Sequence, residues 1–311
     1  MFFKKPKFWD QSKFSLLSFL LLPLTFPLVL NNWILNSSSK KKYNIKTICI
    51  GNIYVGGTGK TPLSIEINLI AKKLKFKTVF IKKFYRSQID ERKLLKKNGT
   101  LISESSREKS LDKSIKNKFS LAILDDGLQD KSINYDLKFV CFNSDIFCGN
   151  GRLIPAGPMR ESISSLKKYN VVFLNGISNP SPHLYSIIRK KNKNIQIFKS
   201  SYVPTNLKKI KKTNKYLIFS GIGNSKSFEI MLKKYNYKIL KSLEYPDHYK
   251  YSFSDIKKIK LLAKKINAKI LTTEKDYLRL NKSDRQNIDY VKVELKIFNK
   301  SKLIKFIKKN L

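Results

Sequence analysis

KTICIGNIYVGGTGKT, residues 46–61, decides the fold of this chain. Its first part is a β-rich apolar run, and the glycine-rich part is followed by a stretch with helical periodicity. A strand, a glycine loop and a helix in this order predict a P-loop. In such a loop, backbone N–H groups and the positive end of the helix dipole bind phosphate oxygens.

The predicted nucleotide-binding residues are eight consecutive positions. Glycines let the backbone adopt positive φ and approach phosphate closely. Lys60 is expected to reach the β- and γ-phosphates of ATP, and the Thr61 hydroxyl to ligate Mg²⁺. The strict pattern has glycine where this chain has a tyrosine, but the flanking strand and helix argue against a chance glycine-rich turn. The eight positions are Tyr54, Val55, Gly56, Gly57, Thr58, Gly59, Lys60 and Thr61.

Two acids, Asp125 and Asp126, end the apolar run SLAIL. An acid at the tip of a strand in a P-loop fold is placed to hold magnesium directly or through water. We therefore predict Asp125 as a metal ligand and Asp126 as a catalytic residue near the acceptor hydroxyl. The alternative is a helix N-cap, which aspartate also favours.

An uncharged apolar run, FSLLSFLLLPLTFPLVL, occupies residues 14–30. Lysines 4, 5, 7 and 13 precede it and lysines 40–42 follow it, which suits an interface with anionic lipid. We predict a membrane-associated helix that either lies in the plane of the bilayer or spans it. A secretory signal peptide and a helix packed on the protein's own core are the alternatives.

Strand and helix patterns alternate along the rest of the chain, which predicts an α/β fold of P-loop NTPase type. The mostly parallel sheet is expected to be flanked by helices and followed by a smaller C-terminal α/β domain. The predicted domains are 1–40, 41–195 and 196–311. Residues 88–118 give weak signals, and IQIFKSSYVP, residues 195–204, is interpreted as a connecting ribbon.

Composition limits the class of protein. Hydrophobic residues make up 41% of the chain, so it is globular, and 64 Lys+Arg against 22 Asp+Glu give a net charge of +42. This charge predicts attraction to phosphates or anionic lipid, although the abundance of Lys, Asn and Ile also fits compositional drift. Three cysteines without disulfide or zinc spacing favour a reducing, cytoplasmic setting. No zinc-finger or RNA-binding signature accompanies the charge, so we expect no nucleic-acid partner.

Six motifs occur in order: GNIYVGGTGKTP, LDDGLQD, GRLIPAGPMRE, FSGIGNSKSF, YPDHYKYS and TTEKDYLRL. Together they strongly resemble the tetraacyldisaccharide 4′-kinase family, over nearly the whole chain. The resemblance implies ATP- and Mg²⁺-dependent phosphorylation of the 4′-hydroxyl of a lipid A disaccharide precursor. It also implies work at the anionic cytoplasmic face of the bacterial inner membrane and a cleft between a large and a small domain. No obligate protein partner is inferred from the sequence.

The resemblance also implies residue roles. Lys60 and Thr61 match the phosphate- and magnesium-binding residues, and Asp125 and Asp126 match the family's acidic pair. Arg160 and Glu161 match residues near the reacting groups, and His248 matches the active-site histidine.

Three segments depart from the family pattern. Residues 82–85 read KKFY where the family usually has Ser-Arg-Gly-Tyr, and Asp130 replaces a usual histidine. The family's Gly-Asp-Glu segment, whose aspartate is thought to act as base with the histidine, has Glu104 as its nearest candidate. The alternatives left open are therefore a catalytically impaired family member and a membrane-associated P-loop NTPase.

Overall fold

The computed structural model describes residues 6–11, 15–37, 39–85, 88–176 and 179–311. The chain forms two compact units, which are described separately here. The larger comprises Lys5–Phe84, Leu95–Ser201 and Leu295–Leu311, and the smaller includes Tyr85–Leu94 and Tyr202–Glu294. Of the N-terminal residues invoked above, Lys4, Lys5, Lys13 and Phe14 lie outside the described residues.

The described residues contain twelve strands in two sheets. One sheet has eight strands in the order β12-β7-β6-β5-β1-β4-β2-β3, and the other has four in the order β11-β10-β8-β9. The strands are β1 Lys46–Gly51, β2 Thr78–Ile81, β3 Leu101–Ile102, β4 Leu121–Asp125, β5 Leu137–Asn143, β6 Val171–Asn175, β7 Gln196–Pro204, β8 Lys215–Ser220, β9 Lys238–Glu244, β10 Lys269–Thr273, β11 Ile288–Val291 and β12 Val293–Ile297.

Ten α-helices accompany them among the described residues. They are α1 Leu16–Leu20, α2 Phe26–Ser37, α3 Lys60–Lys73, α4 Ile89–Asn98, α5 Arg107–Lys116, α6 Pro182–Lys191, α7 Ser225–Lys234, α8 Phe253–Lys265, α9 Glu274–Arg279 and α10 Lys300–Asn310. Short 3₁₀ turns cover Lys7–Trp9, Pro23–Thr25, Ile163–Lys168, Leu207–Lys209 and Ser283–Arg285.

The core of the larger unit is its parallel sheet. From β7 to β3 each neighbouring pair is parallel, and β4 and β6 are buried at every position. Continuous burial explains why these strands are unbroken apolar runs in the sequence, since helices cover both faces of such sheets. Cys49 and Cys141 lie in β1 and β5 as buried thiols that form no disulfide. The predicted α/β class and mostly parallel sheet are confirmed.

The two units of the structure do not meet at residue 195, the domain boundary predicted from the sequence. IQIFKSSYVP is not a connecting ribbon, because β7 pairs in register with β6 inside the large sheet. The last strand and helix, β12 and α10, then return mostly to the larger unit. The weakly patterned 88–118 region folds into α4, β3 and α5. Partial exposure of these elements explains their weak hydrophobic periodicity.

The apolar N-terminal run is broken into three short pieces instead of one helix. Pro23 begins a 3₁₀ turn and Pro27 lies in the first turn of α2, where a missing N–H is tolerated. Among the described residues no helix combines the length and the apolar character needed to cross a bilayer. The run is attached to the larger unit through Ser18, whose hydroxyl donates to the Ala156 carbonyl at 2.5 Å. Asn32 also donates to the Arg160 carbonyl at 3.0 Å.

Candidate active site

The P-loop follows β1 and ends at α3, as the sequence predicts. Gly56 and Gly59 have φ values of 134° and 88°. Residues with a Cβ atom rarely adopt such backbone angles. The Thr58 hydroxyl is buried and has no hydrogen-bond partner among the described residues. A buried, unpaired donor beside the start of a helix fits a loop that binds phosphate oxygens.

Asp125 joins the P-loop helix to the neighbouring strand. β4 pairs with β1, and the buried Asp125 carboxylate accepts hydrogen bonds from Thr61 Oγ1 at 3.1 Å and Ser64 Oγ at 3.0 Å. It also accepts one from the buried Lys82 ammonium at 2.8 Å. Thr61 and Asp125 are thus adjacent, as a magnesium site at this position requires. Lys82 neutralises the carboxylate, a feature that the sequence analysis noted only as a departure.

The Asp126 carboxylate lies near two other residues predicted to be catalytic. Its Oδ1 lies 3.5 Å from Lys60 Nζ and 3.6 Å from Arg160 Nη1. Arg107 donates to the Asp126 carbonyl at 2.5 Å, and to the Asp130 carboxylate at 3.2 Å. Asp130, the residue that replaces a histidine, therefore anchors the arginine that supports the acidic pair.

The two remaining predicted acids have other partners. Glu161 is buried and accepts hydrogen bonds from Lys131 at 2.8 Å and the Tyr169 hydroxyl at 2.9 Å. Glu104 pairs with Lys113 at 2.9 Å, and both side chains are more than a third exposed. This geometry suits a buried structural carboxylate at position 161 and a surface ion pair at position 104.

In the smaller unit, His248 lies against Asp90 and Glu91, which occupy the first turn of α4. His248 Nδ1 is 3.4 Å from Asp90 Oδ1, and Nε2 is 3.9 Å from Glu91 Oε1. Burial alone would lower the pKa of His248, but the hydrogen bond to Asp90 and the charge of Asp247 raise it above its ordinary value. Burial would raise the pKa of Asp90, but the hydrogen bond with His248 and the charge of Arg279 hold it well below its usual range.

The TTEKDYLR segment holds this carboxylate pair in place. Arg279 donates to Asp90 Oδ2 and to Asp276 Oδ1, each at 2.8 Å, and Lys275 donates to Glu91 at 3.0 Å. The fully buried Asp276 also accepts from the Tyr251 hydroxyl at 2.9 Å. The sequence of this motif alone indicates no chemistry, but in the structure its cations orient the acids beside His248.

Comparisons with known proteins identify relatives of this chain. A family model described as Tetraacyldisaccharide-1-P 4′-kinase matches residues 17–102 and 90–311. A tetraacyldisaccharide 4′-kinase of Pelagibacter ubique is 49% identical over 99% of both chains. The chain belongs to the tetraacyldisaccharide-1-P 4′-kinase family. The resemblance stated from the six motifs is confirmed.

Two further relatives of this family agree. A tetraacyldisaccharide 4′-kinase of Rickettsia felis is 32% identical over 94% of this chain and 93% of its own length. A crystal structure of LpxK from Aquifex aeolicus, described as an "apo" form in complex with ATP, matches with a TM-score of 0.69. That chain is 21% identical and covers 94% of this chain and 99% of itself, so it supports the shared fold.

The contacts of His248 identify acids that sequence reasoning missed. The Asp90-Glu91 dipeptide, which follows Ile89, lies beside the imidazole. The carboxylate beside His248 is therefore Asp90, whereas Glu104 has its described partner at the surface. The Asp-Glu dipeptide was the available signal, but without its glycine it does not stand out in a lysine-rich helix.

Magnesium is compatible with these residues. Mg²⁺ in phosphoryl-transfer sites takes few protein ligands and completes its shell with phosphates and water. The Thr61 hydroxyl and Asp125 meet that need, and among the described residues no group of three or more His, Cys, Asp or Glu side chains forms a metal site.

Proposed function

We propose that this protein transfers the γ-phosphoryl group of ATP to the 4′-hydroxyl of a tetraacyldisaccharide 1-phosphate. The observation that carries the proposal is a P-loop whose lysine and threonine meet an acidic pair, in a chain matched over its whole length by kinases of this name. Phosphoryl transfer depends mainly on positioning and charge neutralisation, and these residues supply both.

The nucleotide side of the site is proposed to be built in the larger unit. The loop amides from Tyr54 to Gly59, Lys60 and the start of α3 would hold the phosphates of ATP. Thr61 and Asp125 would hold Mg²⁺, which neutralises phosphate charge when bound. Arg160 would add a second cation beside Asp126, and Glu161, bound to Lys131 and Tyr169, would position the Arg160 segment.

The acceptor hydroxyl is proposed to lose its proton to His248. With Nδ1–H directed at Asp90 Oδ1, the neutral imidazole keeps the lone pair of Nε2 for the incoming proton. Asp90 makes a poor final proton acceptor, because hydrogen bonds to both of its oxygens favour its ionised form. Asp90 would orient the imidazole and stabilise the imidazolium that forms.

The N-terminal segment is proposed to contact the cytoplasmic face of the inner membrane. This segment belongs to the larger unit, and at least half of the side chain is exposed at each of eight apolar positions: Leu16, Leu17, Phe19, Leu20, Leu24, Phe26, Trp33 and Ile34. Exposed apolar side chains on helices of a protein with a net charge of +42 favour binding in the interface of an anionic bilayer. Such contact would bring the enzyme to an acceptor whose acyl chains remain in the bilayer.

Transfer of radiolabel from [γ-³²P]ATP to disaccharide 1-phosphate lipid in mixed micelles tests the proposed activity. We expect labelled lipid with the unchanged chain, a fall of about 10²- to 10³-fold for Lys60→Met, and full activity for the surface variant Lys113→Met. ATP hydrolysis that is indifferent to the lipid would instead support the membrane-associated NTPase alternative.

A further inference from the structure

Three polar side chains at one edge of the large sheet take no part in the phosphate-binding site or in the His248 cluster described above. Ser144 Oγ, Asn175 Oδ1 and Ser200 Oγ are buried atoms without a hydrogen-bond partner among the described residues. Asn175 is 6% exposed and Ser200 is fully buried. Buried polar atoms without partners are rare in folded proteins, because each loses its hydrogen bonds to water without replacement.

Asn175 and Ser200 lie at one level on neighbouring strands, and Ser144 follows directly after the end of β5. Asn143 pairs in register with Asn175, and Asn175 with Ser200, across β5, β6 and β7. Asn143 Oδ1 accepts from the Asp145 N–H at 2.8 Å and is explained as a turn cap. The amide oxygen of Asn175, the neighbour of Asn143 in the sheet, accepts no such hydrogen bond.

The location of Asn175 relates it to the P-loop. Gly51 at the end of β1 is level with Val140 of β5, and Val140 is level with Val172 of β6. Asn175 therefore lies beyond the end of β1, at the same carboxyl edge from which the P-loop departs. Since neighbouring strands are about 4.8 Å apart, β6 is about 10 Å from β1. A nucleotide bound by its phosphates at the P-loop can extend its base over that separation.

We propose that Asn175 recognises the adenine base of the nucleotide, with Oδ1 accepting from the 6-amino group and Nδ2 donating to N7. An asparagine amide matches this donor–acceptor pair in adenine, as it does when proteins read adenine in DNA. Guanine and hypoxanthine place an oxygen at position 6, which would face the amide oxygen unfavourably. The assignment rests on the proposed function and adds the residue that selects ATP.

The neighbouring Gly176 keeps this corner of the sheet open for polar groups. A Cβ at position 176 would lie 1.7 Å from Ser144 Oγ, so a larger residue would displace that hydroxyl. Ser144 and Ser200 flank Asn175 with two further unpaired hydroxyls, which are suited to the remaining polar edge of the base or the ribose.

Calorimetric binding without lipid acceptor tests the assignment. The ligands are ADP, inosine diphosphate, which has a 6-oxo group, and 7-deaza-ADP, which lacks N7. Because all three share the diphosphate, the contribution of the P-loop cancels. The unchanged chain is expected to bind the two analogues about tenfold more weakly than ADP, whereas Asn175→Leu binds all three alike, at the weaker affinity.

A matched control is Asn68→Leu, which removes a buried asparagine of the same unit that has partners. Asn68 accepts from Thr78 at 2.6 Å and donates to the Asn98 carbonyl at 3.2 Å. This variant is expected to lose stability and keep the tenfold preference.

The outcomes separate the two proposals. Equal binding of the three ligands by the unchanged chain, or a preference that survives Asn175→Leu, would overturn the base subsite and leave the kinase proposal intact. The analogue comparison uses the unchanged chain, so it decides the matter even if the leucine variant does not fold. Failure of the unchanged chain to bind ADP in the presence of Mg²⁺ would overturn the proposed function and the subsite with it.

Discussion

The phosphate-binding region of the larger unit and the His248 region of the smaller unit are assembled in opposite ways. Lys60 and Thr61 are adjacent in the chain, and Asp125 and Asp126 come from the strand next to β1. His248, Asp90 and Arg279 come from three distant segments, and 158 residues separate the first two. The first region follows from local backbone geometry, whereas the second depends on the folding of a whole unit.

This difference has an energetic side. Glycine conformation and the start of a helix determine the phosphate-binding loop, and both are short-range properties. The acids beside His248 are buried, and Arg279 and Lys275 form ion pairs with them. Buried charges without partners are strongly destabilising, so single substitutions of these two cations should destabilise the smaller unit.

The largest effect should follow from breaking the His248 pair. Replacing Asp90 by Asn keeps the shape of the side chain but removes the charge that stabilises the imidazolium. We expect the kcat of Asp90→Asn to fall by about 10²- to 10⁴-fold, the range for loss of general-base catalysis. The kcat of His248→Gln should fall by a similar factor. Label transfer to the lipid measures this.

Glu104→Gln is the matched control for that substitution, because its carboxylate pairs at the surface with Lys113. Its activity should stay within about twofold of the unchanged chain, since surface ion pairs contribute little. A large loss in Glu104→Gln with none in Asp90→Asn would return the acid's role to position 104.

Removing Arg279 should destabilise the smaller unit. Arg279→Met leaves Asp90 and Asp276 buried without their shared cation, at a cost of about 3–5 kcal/mol in the free energy of unfolding. Urea denaturation followed by tyrosine fluorescence provides the measurement. The exposed pair Lys292–Glu294 gives the comparison, because Lys292→Met should change stability by less than about 1 kcal/mol.

The raised pKa of His248 gives activity and stability opposite pH dependences. Activity needs the neutral imidazole, so kcat/KM should rise as pH increases through a pKa above the ordinary value of about 6.5. Stability from the protonated His248–Asp90 pair is complete below the unfolded-state pKa and is lost as pH rises through the folded-state pKa. pH–rate profiles and denaturation midpoints measured in parallel test this.

In Asp90→Asn the acid limb of the activity profile should move to lower pH, because the carboxylate that raises the pKa of His248 is gone. A limb that stays in place would mean that the titrating group is not His248.

The smallest effect is expected from Lys82. Its ammonium lies on Asp125, so Lys82→Ser should free carboxylate charge for Mg²⁺ and lower the magnesium concentration for half-maximal activity several-fold. Without metal or nucleotide, the same variant should unfold more easily, because Asp125 becomes a buried unpaired charge. The exposed Lys72→Ser controls for charge loss alone, and an unchanged magnesium requirement in Lys82→Ser would contradict the role of the ion pair.

Two expectations remain predictions. The expectation of no nucleic-acid partner follows from missing motifs, no obligate protein partner is inferred from the sequence, and neither expectation is tested by the fold. Charge alone makes any DNA binding strongly dependent on salt, which a titration at two ionic strengths would reveal.

The sequence by itself determined the P-loop, the acidic pair and the α/β class, because these depend on glycine conformation, apolar periodicity and the order of strand and helix. Only the tertiary structure decided that Asp90, and not Glu104, lies beside His248, that Lys82 neutralises Asp125, and that residues 195–204 belong to the large sheet. It also divided the N-terminal apolar run at its prolines. These features join residues that are far apart in the chain. A buried charge needs an oppositely charged partner, and no short stretch of sequence shows which distant residue that partner is.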